Sequence, residues 1–278
     1  QRLNPSQLLV LSFFLLIIVG ALGFRLLPNL TTSEPLSWHQ AFFTSTSAVC
    51  VTGLIVVDTS THFTFWGQLF LLSLIQLGGL GFLTLTSMII AALGGRLSLR
   101  AEAVTVGTLR SGPYLDSRRL VIDVVRFTFT IEAIGALMLL AAWWPRLGFS
   151  DALWPAVFHS VSAFCNAGFS TFGDSLIQFQ TSPSTTAVMV LLIIIGGLGF
   201  LSLEEVYLSR IHRPIDLRRH RRPLSLQTIL VLVTTLTLVI GGSAGFAFLE
   251  WNHSLNGMNL SDKLHNAVFM SVTSRTAG

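Results

Sequence analysis

The sequence predicts an all-α membrane protein built from repeated units of spanning helix, pore loop and spanning helix. Three observations support this fold class: long stretches without charge, blocks of sequence that recur, and arginines concentrated in two of the links between stretches. Of the 278 residues, 51% are hydrophobic and only 11% are charged, which is about half the charged share of a typical soluble domain. The composition therefore favours a chain that lies mostly within a bilayer.

Five stretches are long enough to cross a membrane. Residues Leu8 to Phe24, Phe63 to Leu93 and Leu224 to Leu249 contain no Asp, Glu, Lys or Arg. Residues Phe127 to Trp144 and Ser184 to Leu203 contain a single acidic residue between them. Because a hydrocarbon core is spanned by about 20 apolar residues, each stretch predicts one spanning helix.

The arginines predict which side each link faces. They cluster between the second and third stretches and again between the fourth and fifth: Arg96, Arg100, Arg110, Arg118, Arg119, Arg210, Arg213, Arg218, Arg219, Arg221 and Arg222. Such clusters mark cytoplasmic loops and contact anionic lipid headgroups. We therefore expect a multi-pass protein of the cell inner (plasma) membrane, with both arginine-rich links and the N-terminus in the cytoplasm. The basic excess does not indicate a nucleic-acid partner.

An internal repeat organises the chain. Residues 41–53 align without gaps on residues 156–168, where Ala, Phe, Ser, Ala, Cys and Gly recur in register. Downstream, Gly78 to Leu83 matches Gly196 to Leu201. A third copy of the first block occupies residues 266–278 with a one-residue shift. The predicted units are residues 1–105, residues 106–222, and residues 223–278 as the start of a third repeat that stops at its filter. A ring of pore loops needs about four units, as in potassium channels, so we expect the chain to be part of a longer protein.

Each repeat contains an apolar segment too short to span the membrane. These segments are Trp38 to Val49, Asp151 to Phe164 and Asp262 to Thr273. Their lengths are typical of re-entrant half-helices, whose non-helical continuation survives at membrane depth only beside a cavity or inside protein. Ser or Asp stands where each N-cap is expected: Ser37, Ser150 or Asp151, and Ser261 or Asp262.

The glycine-ended turns after the half-helices are the candidate functional site. Rings of backbone carbonyls replace the hydration shell of an alkali cation, and the C-terminal end of a helix favours positive charge. Glycine permits the backbone conformations that such a turn requires. The candidate ion-binding (potassium) residues are Val51, Thr52, Gly53, Asn166, Ala167, Gly168, Thr276, Ala277 and Gly278.

These motifs resemble the Trk/Ktr/HKT superfamily of potassium transporters. The resemblance rests on Ser47 to Asp58 with Leu74 to Gly81, on Ser162 to Phe169, and on Ser274 to Gly278, and the start of the chain is more like the Ktr-type membrane subunit than the longer Trk-type one. It implies a channel-like potassium uptake subunit of four repeats. The family is typically homodimeric, is often sodium-stimulated and works with a cytoplasmic RCK-type ring that binds nucleotide. No cofactor is expected on this chain itself.

The resemblance maps the filter glycines of the family onto three positions, Gly53, Gly168 and Gly278. A glycine at the first position favours potassium over sodium. Other functions left open are a secondary cation symporter with alternating access, a sodium-selective relative, and a membrane receptor or assembly subunit with a vestigial pore. No catalytic constellation indicates an enzyme.

Several residues keep two interpretations. Glu132, near mid-span, is either a structural hydrogen-bonding group or a group that takes part in ion coupling. Asp58 and Asp174 either form an acidic mouth that concentrates cations or cap the next element. The Gly-Gly-x-Gly runs in the second and fourth stretches favour close helix packing, and a hinge is the alternative.

Overall fold

The fold is seen in a computed structural model of the chain. The structure describes residues 5–32, 34–81, 117–206 and 224–276. Across these ranges the chain is helical, and its only extended pairing is an isolated bridge between Thr31 and Phe63. This confirms the predicted all-α fold. The predicted repeat boundaries at 105/106 and 222/223 lie outside the described residues.

The first repeat contains a spanning helix, a half-helix, a short helical turn and a second apolar helix. These are α1 (Pro5–Leu26), α2 (Trp38–Val49), α3 (Thr59–His62) and α4 (Phe65–Gly81). The half-helix α2 has the predicted bounds, because Ser37 and Gln40 form a reciprocal capping box that satisfies two otherwise unpaired amides.

The second repeat follows the same order, and the third is described as far as its half-helix. The second contains α5 (Ser117–Leu147), α6 (Phe149–Phe164), a 3-10 turn (Ile177–Phe179), α7 (Pro183–Leu198) and α8 (Phe200–Val206). The third contains α9 (Leu226–Glu250) and α10 (Leu260–Thr276).

Each predicted spanning stretch contains an apolar helix in its described part, and residues 82–93 of the second stretch lie outside the described residues. Two described segments, Ile122–Leu147 and Leu226–Glu250, are long and apolar enough to cross a membrane, and α1 has 22 residues. The outer surface is apolar as well: Phe248 on α9 is 85% exposed. A helix that leaves such side chains uncovered suits a lipid environment.

Two predicted N-caps are wrong. The half-helix α6 begins at Phe149, directly after Gly148 at φ +84°, so Ser150 and Asp151 lie inside its first turn. A glycine at positive φ starts the helix without a side-chain cap. In the third repeat α10 begins at Leu260, and the predicted caps Ser261 and Asp262 again fall in the first turn.

The predicted fourth span is interrupted. Gly199, at φ +80°, separates α7 from α8. Beyond the break, the Glu205 carboxylate accepts hydrogen bonds from the Ser225 amide and hydroxyl (2.5 and 2.7 Å) and from the Thr228 hydroxyl, at the start of α9. Partial burial alone would raise the pKa of Glu205, but the hydrogen bonds from Thr228 and Ser225 outweigh it and lower the pKa. A charged carboxylate therefore joins the second repeat to the third.

The same serine contact holds each half-helix against its outer helix. In the first repeat the Ser45 hydroxyl donates to the Ile17 carbonyl (2.7 Å), and in the second the Ser160 hydroxyl donates to the Glu132 carbonyl (2.7 Å). Ser271 donates to the Val239 carbonyl (3.1 Å) in the third. A glycine on the outer helix makes room for each serine: an added Cβ would lie 2.2 to 2.5 Å from the hydroxyl oxygen. These glycines are Gly20, Gly135 and Gly242.

The Gly-Gly-x-Gly runs pack closely, as one interpretation predicted. A Cβ added at Gly78 would lie 2.1 Å from the Val49 carbonyl oxygen, at the end of α2. A Cβ added at Gly196 would lie 1.8 Å from the equivalent oxygen, that of Phe164. Each inner helix therefore touches the last turn of its own half-helix through bare backbone. The inner helices of both repeats are closely packed at these glycines. In the second repeat the helix is also broken at Gly199.

Candidate functional site: the converging turns

The first turn folds back tightly after α2. Val51 (φ +57°) and Gly53 (φ +75°) adopt left-handed backbone conformations on either side of Thr52. The Thr52 amide donates to the Ser47 carbonyl (2.9 Å), and the Ser47 hydroxyl donates to the Leu54 carbonyl (2.7 Å). A left-handed non-glycine residue such as Val51 is unusual and is held here by these two bonds.

The second turn repeats this path. Asn166 (φ +61°) and Gly168 (φ +72°) are left-handed at the same two positions. The Ala167 amide donates to the Ser162 carbonyl (2.7 Å), and the Ser162 hydroxyl donates to the Phe169 carbonyl (2.8 Å). The two turns therefore share a backbone path although their side chains differ.

The main-chain oxygens of both turns are left available. In the part of the chain that the structure describes, no hydrogen bond is donated to the carbonyls of residues 51–53 or 166–168. Carbonyl oxygens inside a protein are nearly always paired. Consecutive unpaired carbonyl oxygens have the chemistry of the groups that line potassium filters.

The turns come together. A Cβ added at Gly53 would lie 2.5 Å from the Ala167 carbonyl oxygen and 3.2 Å from the Gly168 Cα. On the other side of the second turn, the Thr276 hydroxyl at the end of α10 donates to Asn166 Oδ1 (2.7 Å). Elements from three repeats thus meet at one place. Of the predicted site residues, Ala277 and Gly278 lie outside the described residues.

The half-helices direct their negative ends at these turns. The turns follow α2 and α6 immediately, with Cys50 and Cys165 as the C-caps. A helix C-terminus carries partial negative charge on its unsatisfied carbonyls. Two such ends at the point where unpaired oxygens gather make the region attractive to a cation.

One of the two interpretations of Asp58 is confirmed. Its carboxylate accepts from the Ser60 amide (2.8 Å) and caps α3. Asp58 also lies beside the second repeat, since a Cβ added at Gly173 would be 3.4 Å from Asp58 Oδ2. The next residue, Asp174, is exposed and lines a cavity of about 450 Å³ that Gly168 also lines. Asp58 therefore caps α3 and also lies, like Asp174, near the turns, so the two interpretations do not exclude each other.

His159 on α6 is buried and anchors the segment after the second turn. Its Nδ1 lies 2.8 Å from the Pro155 carbonyl, and its Nε2 lies 2.9 Å from the Ser170 hydroxyl. Because a carbonyl only accepts, Nδ1 donates and Nε2 accepts. The Trp143 and Phe172 rings contact the imidazole at centroid distances of 5.2 and 5.0 Å. The histidine is a structural group, and sequence reasoning gave it no role.

The two cysteines of the repeat differ in their surroundings. Both are free thiols. Cys50 is exposed, whereas Cys165 packs against the inner helix of the first repeat: a Cβ added at Gly79 would lie 2.6 Å from Cys165 Sγ. Cys165 Sγ also contacts Gln76 and the buried Glu132. Sequence reasoning missed Gln76. Aligning the two repeats would have marked it, because Gln76 is polar whereas its counterpart in the second repeat is Ile194.

Within the described ranges, no group of three or more His, Cys, Asp or Glu residues is placed to hold a metal ion. The oxygens that gather at the turns belong mainly to the backbone. This ligand type suits a weakly held alkali cation better than a transition metal, which prefers imidazole or thiolate.

The fold and the turns together define a membrane protein of repeated helical units, with half-helices whose ends converge. The chain belongs to the TrkH family of cation transport proteins, whose family model matches residues 7–278. This confirms the superfamily indicated by the motifs.

Individual relatives agree with this assignment. The chain is 38% identical to the Ktr system potassium uptake protein B of Bacillus subtilis, over 100% of this chain and 60% of that protein. It is 36% identical to the potassium/sodium uptake protein NtpJ of Enterococcus hirae, with the same coverage. The chain thus spans about 60% of the length of the curated relatives it matches.

A solved structure shows the same fold. The potassium transporter TrkH from Vibrio parahaemolyticus matches with a TM-score of 0.70 over 100% of this chain and 52% of its own. Sequence identity to it is 19%, so this likeness supports the architecture alone.

Proposed function

We propose that the protein takes up potassium through a channel-like pore whose selectivity filter is built from backbone carbonyls. The observation that carries the proposal is the meeting of the first two turns, where an added Gly53 Cβ would lie 2.5 Å from the Ala167 oxygen. The Asn166–Thr276 contact extends the arrangement to the third repeat. Relatives named as potassium uptake proteins support the choice of ion.

The ligands would be the carbonyls of Val51, Thr52 and Gly53 and of their counterparts Asn166, Ala167 and Gly168. Ala277 and Gly278 would follow Thr276 as the third segment. A dehydrated potassium ion would then exchange water for peptide oxygens. No fixed charge would trap it, because every ligand is a neutral dipole.

The surroundings support cation entry. Asp58 and Asp174 would raise the local cation concentration outside the filter by their field. The arginine-rich links would face the cytoplasm and offer a basic surface to a nucleotide-binding ring of the RCK type. Assembly as a homodimer and stimulation by sodium belong to the same proposal, on the strength of the family resemblance.

The test is rubidium uptake by the full-length protein in cells that lack their own potassium uptake, with sodium as competitor. Wild-type protein is expected to restore growth at low potassium and to accumulate rubidium in preference to sodium. Gly53→Ser and Gly168→Ser are expected to reduce that preference. A wild-type protein that is present in the membrane and takes up no rubidium would rule the proposal out.

Sodium is a second candidate cargo. The Enterococcus hirae relative is named a potassium/sodium uptake protein, and the same carbonyl oxygens can bind either ion. If sodium is a principal cargo, sodium will block rubidium uptake at equal concentration and will itself accumulate. The flux per protein molecule also separates a pore from an alternating-access carrier, since a pore passes ions far faster than a carrier turns over.

A further inference from the structure

A buried polar cluster lies behind the second turn. Glu132 on α5 is only 4% exposed, and Cys165 Sγ lies 3.9 Å from its Oε1. The same sulfur lies 4.0 Å from Gln76 Oε1 on α4. The cluster therefore joins the inner helix of the first repeat, the outer helix of the second, and the residue that begins the second turn.

Not all polar atoms of this cluster have hydrogen-bond partners. Among the described residues, Glu132 Oε2 and Gln76 Nε2 have no hydrogen-bond partner, and neither does the hydroxyl of Thr128, which is 1% exposed. Thr128 and Glu132 are four residues apart and share one face of α5. A carboxylate buried within a membrane protein with an unused oxygen is costly, and such residues usually serve function.

Comparison between repeats shows that the anchoring contact does not need this acid. Ser160 uses only the main-chain carbonyl of Glu132, and the equivalent positions in the other repeats are Ile17 and Val239. The counterpart of Gln76 is Ile194, and both Ile194 and Val239 pack in an apolar cluster. We call the contact between the first and second repeats the first junction and that between the second and third repeats the second junction. The second junction is thus built without polar side chains at these positions.

Of the two junctions that the structure describes, the first alone has this polar pair, and both side chains contact Cys165. This residue is the C-cap of α6 and directly precedes Asn166. Gly79 confines the thiol from the α4 side. A shift of Cys165 would move the carbonyls of residues 166–168, whose positions set the size of a coordinating ring.

We propose that Glu132, together with Gln76, is a positioning residue that fixes the second filter turn through Cys165 and thereby sharpens discrimination between potassium and sodium. This inference rests on the proposed function. Neither residue touches the ion, and their effect passes through the cysteine.

The experiment makes the first junction apolar by placing isoleucine at both polar positions, as the repeats have at Ile17 and Ile194. Full-length wild-type protein, E132Q, E132I and the pair E132I/Q76I are compared for membrane level, thermal unfolding and rubidium uptake under sodium competition. Ile194→Leu is the matched control at the second junction. E132I/Q76I is expected to fold, because the second junction has apolar β-branched residues, Val239 and Ile194, at the two equivalent positions.

The expected result is a loss of rubidium-over-sodium preference of about tenfold in E132I and in E132I/Q76I, equivalent to about 1.4 kcal/mol. E132Q keeps the side-chain shape and one oxygen that can accept from the Cys165 thiol, so it should retain most of the preference. Ile194→Leu should retain all of it. Adding Cys165→Ala to E132I should cause little further loss, because both changes interrupt one path.

Unchanged preference in E132I/Q76I overturns the positioning role while leaving the proposed function intact. Absence of rubidium uptake by the wild-type protein removes the proposed function, and this inference with it. If E132I/Q76I fails to accumulate, Cys165→Ala alone decides: lost preference supports the proposal, and preserved preference overturns it.

Discussion

The first two repeats have the same backbone conformation in their turns, although several of their side chains differ. Their half-helices are tied to the outer helices by equivalent serines, Ser45 and Ser160, each at 2.7 Å from a main-chain oxygen. Their turns are left-handed at equivalent positions. Yet Val51 in one turn corresponds to Asn166 in the other. What the repeat preserves is the direction of carbonyl groups.

This comparison separates two kinds of position. Glycines and serines that contact backbone recur, because a bare Cα or a short hydroxyl is needed where two main chains approach. Side chains that contact other side chains differ, as at Glu132 and Ile17. The recurrent positions should tolerate substitution least, and to the same extent in both repeats.

The largest effect is expected where the inner helices touch the half-helices. Gly78→Ala and Gly196→Ala would place a Cβ 2.1 and 1.8 Å from a carbonyl oxygen. Overpacking against rigid backbone should destabilise each variant by about 3 kcal/mol. Thermal unfolding in detergent measures the loss, and similar losses in the two repeats would support the comparison.

Gly241→Ala on α9 is the control for that measurement. Its added Cβ meets no atom within 4 Å, so helix propensity alone acts and the variant should gain about 0.5–1 kcal/mol. Equal stability of all three variants would show that the close approach at Gly78 and Gly196 is not present in the protein.

A smaller effect is expected at the first turn. Gly53→Ala combines a left-handed alanine, which costs about 1–2 kcal/mol, with a contact 2.5 Å from the Ala167 oxygen. Gly257→Ala has the same backbone strain at φ +78° and no neighbour within 4 Å. Both should lower stability, but only Gly53→Ala should lower rubidium-over-sodium preference. Parallel loss of preference in Gly257→Ala would contradict a local role for the turn.

The smallest effect is expected at the serine anchors. Ser45→Ala and Ser160→Ala each remove one hydrogen bond and should lower the free energy of unfolding by about 1 kcal/mol. The exposed Ser73, which donates to the Leu69 carbonyl within α4 (2.8 Å), is the control and should change little on replacement by Ala. A large difference between Ser45→Ala and Ser160→Ala would break the equivalence of the two repeats.

Much of the architecture was predictable from periodicity and repetition. The bounds of α2 followed from Ser37 and from the short apolar run after it. The start of α6 did not, because Gly148 begins that helix through its backbone conformation, which composition does not specify. The break at Gly199 was hidden for a similar reason: the apolar run continues through it.

The turn residues of the candidate site could be proposed from the sequence, but the side chains that pack behind the second turn could not. Gly53 and Gly168 stood out because they end recurrent blocks. The Gln76–Glu132–Cys165 cluster brings together positions from three segments far apart in the chain. Aligning the repeats would have marked both polar residues as exceptions to apolar positions, but their contact depends on how the repeats pack.

The Glu205 carboxylate has a consequence for the integrity of the chain. It holds Ser225 and Thr228 by hydrogen bonds, so the second and third repeats are joined there by more than the peptide link of residues 206–224. A proteolytic nick in that link would leave the two parts docked, and they would co-migrate until a denaturant separated them.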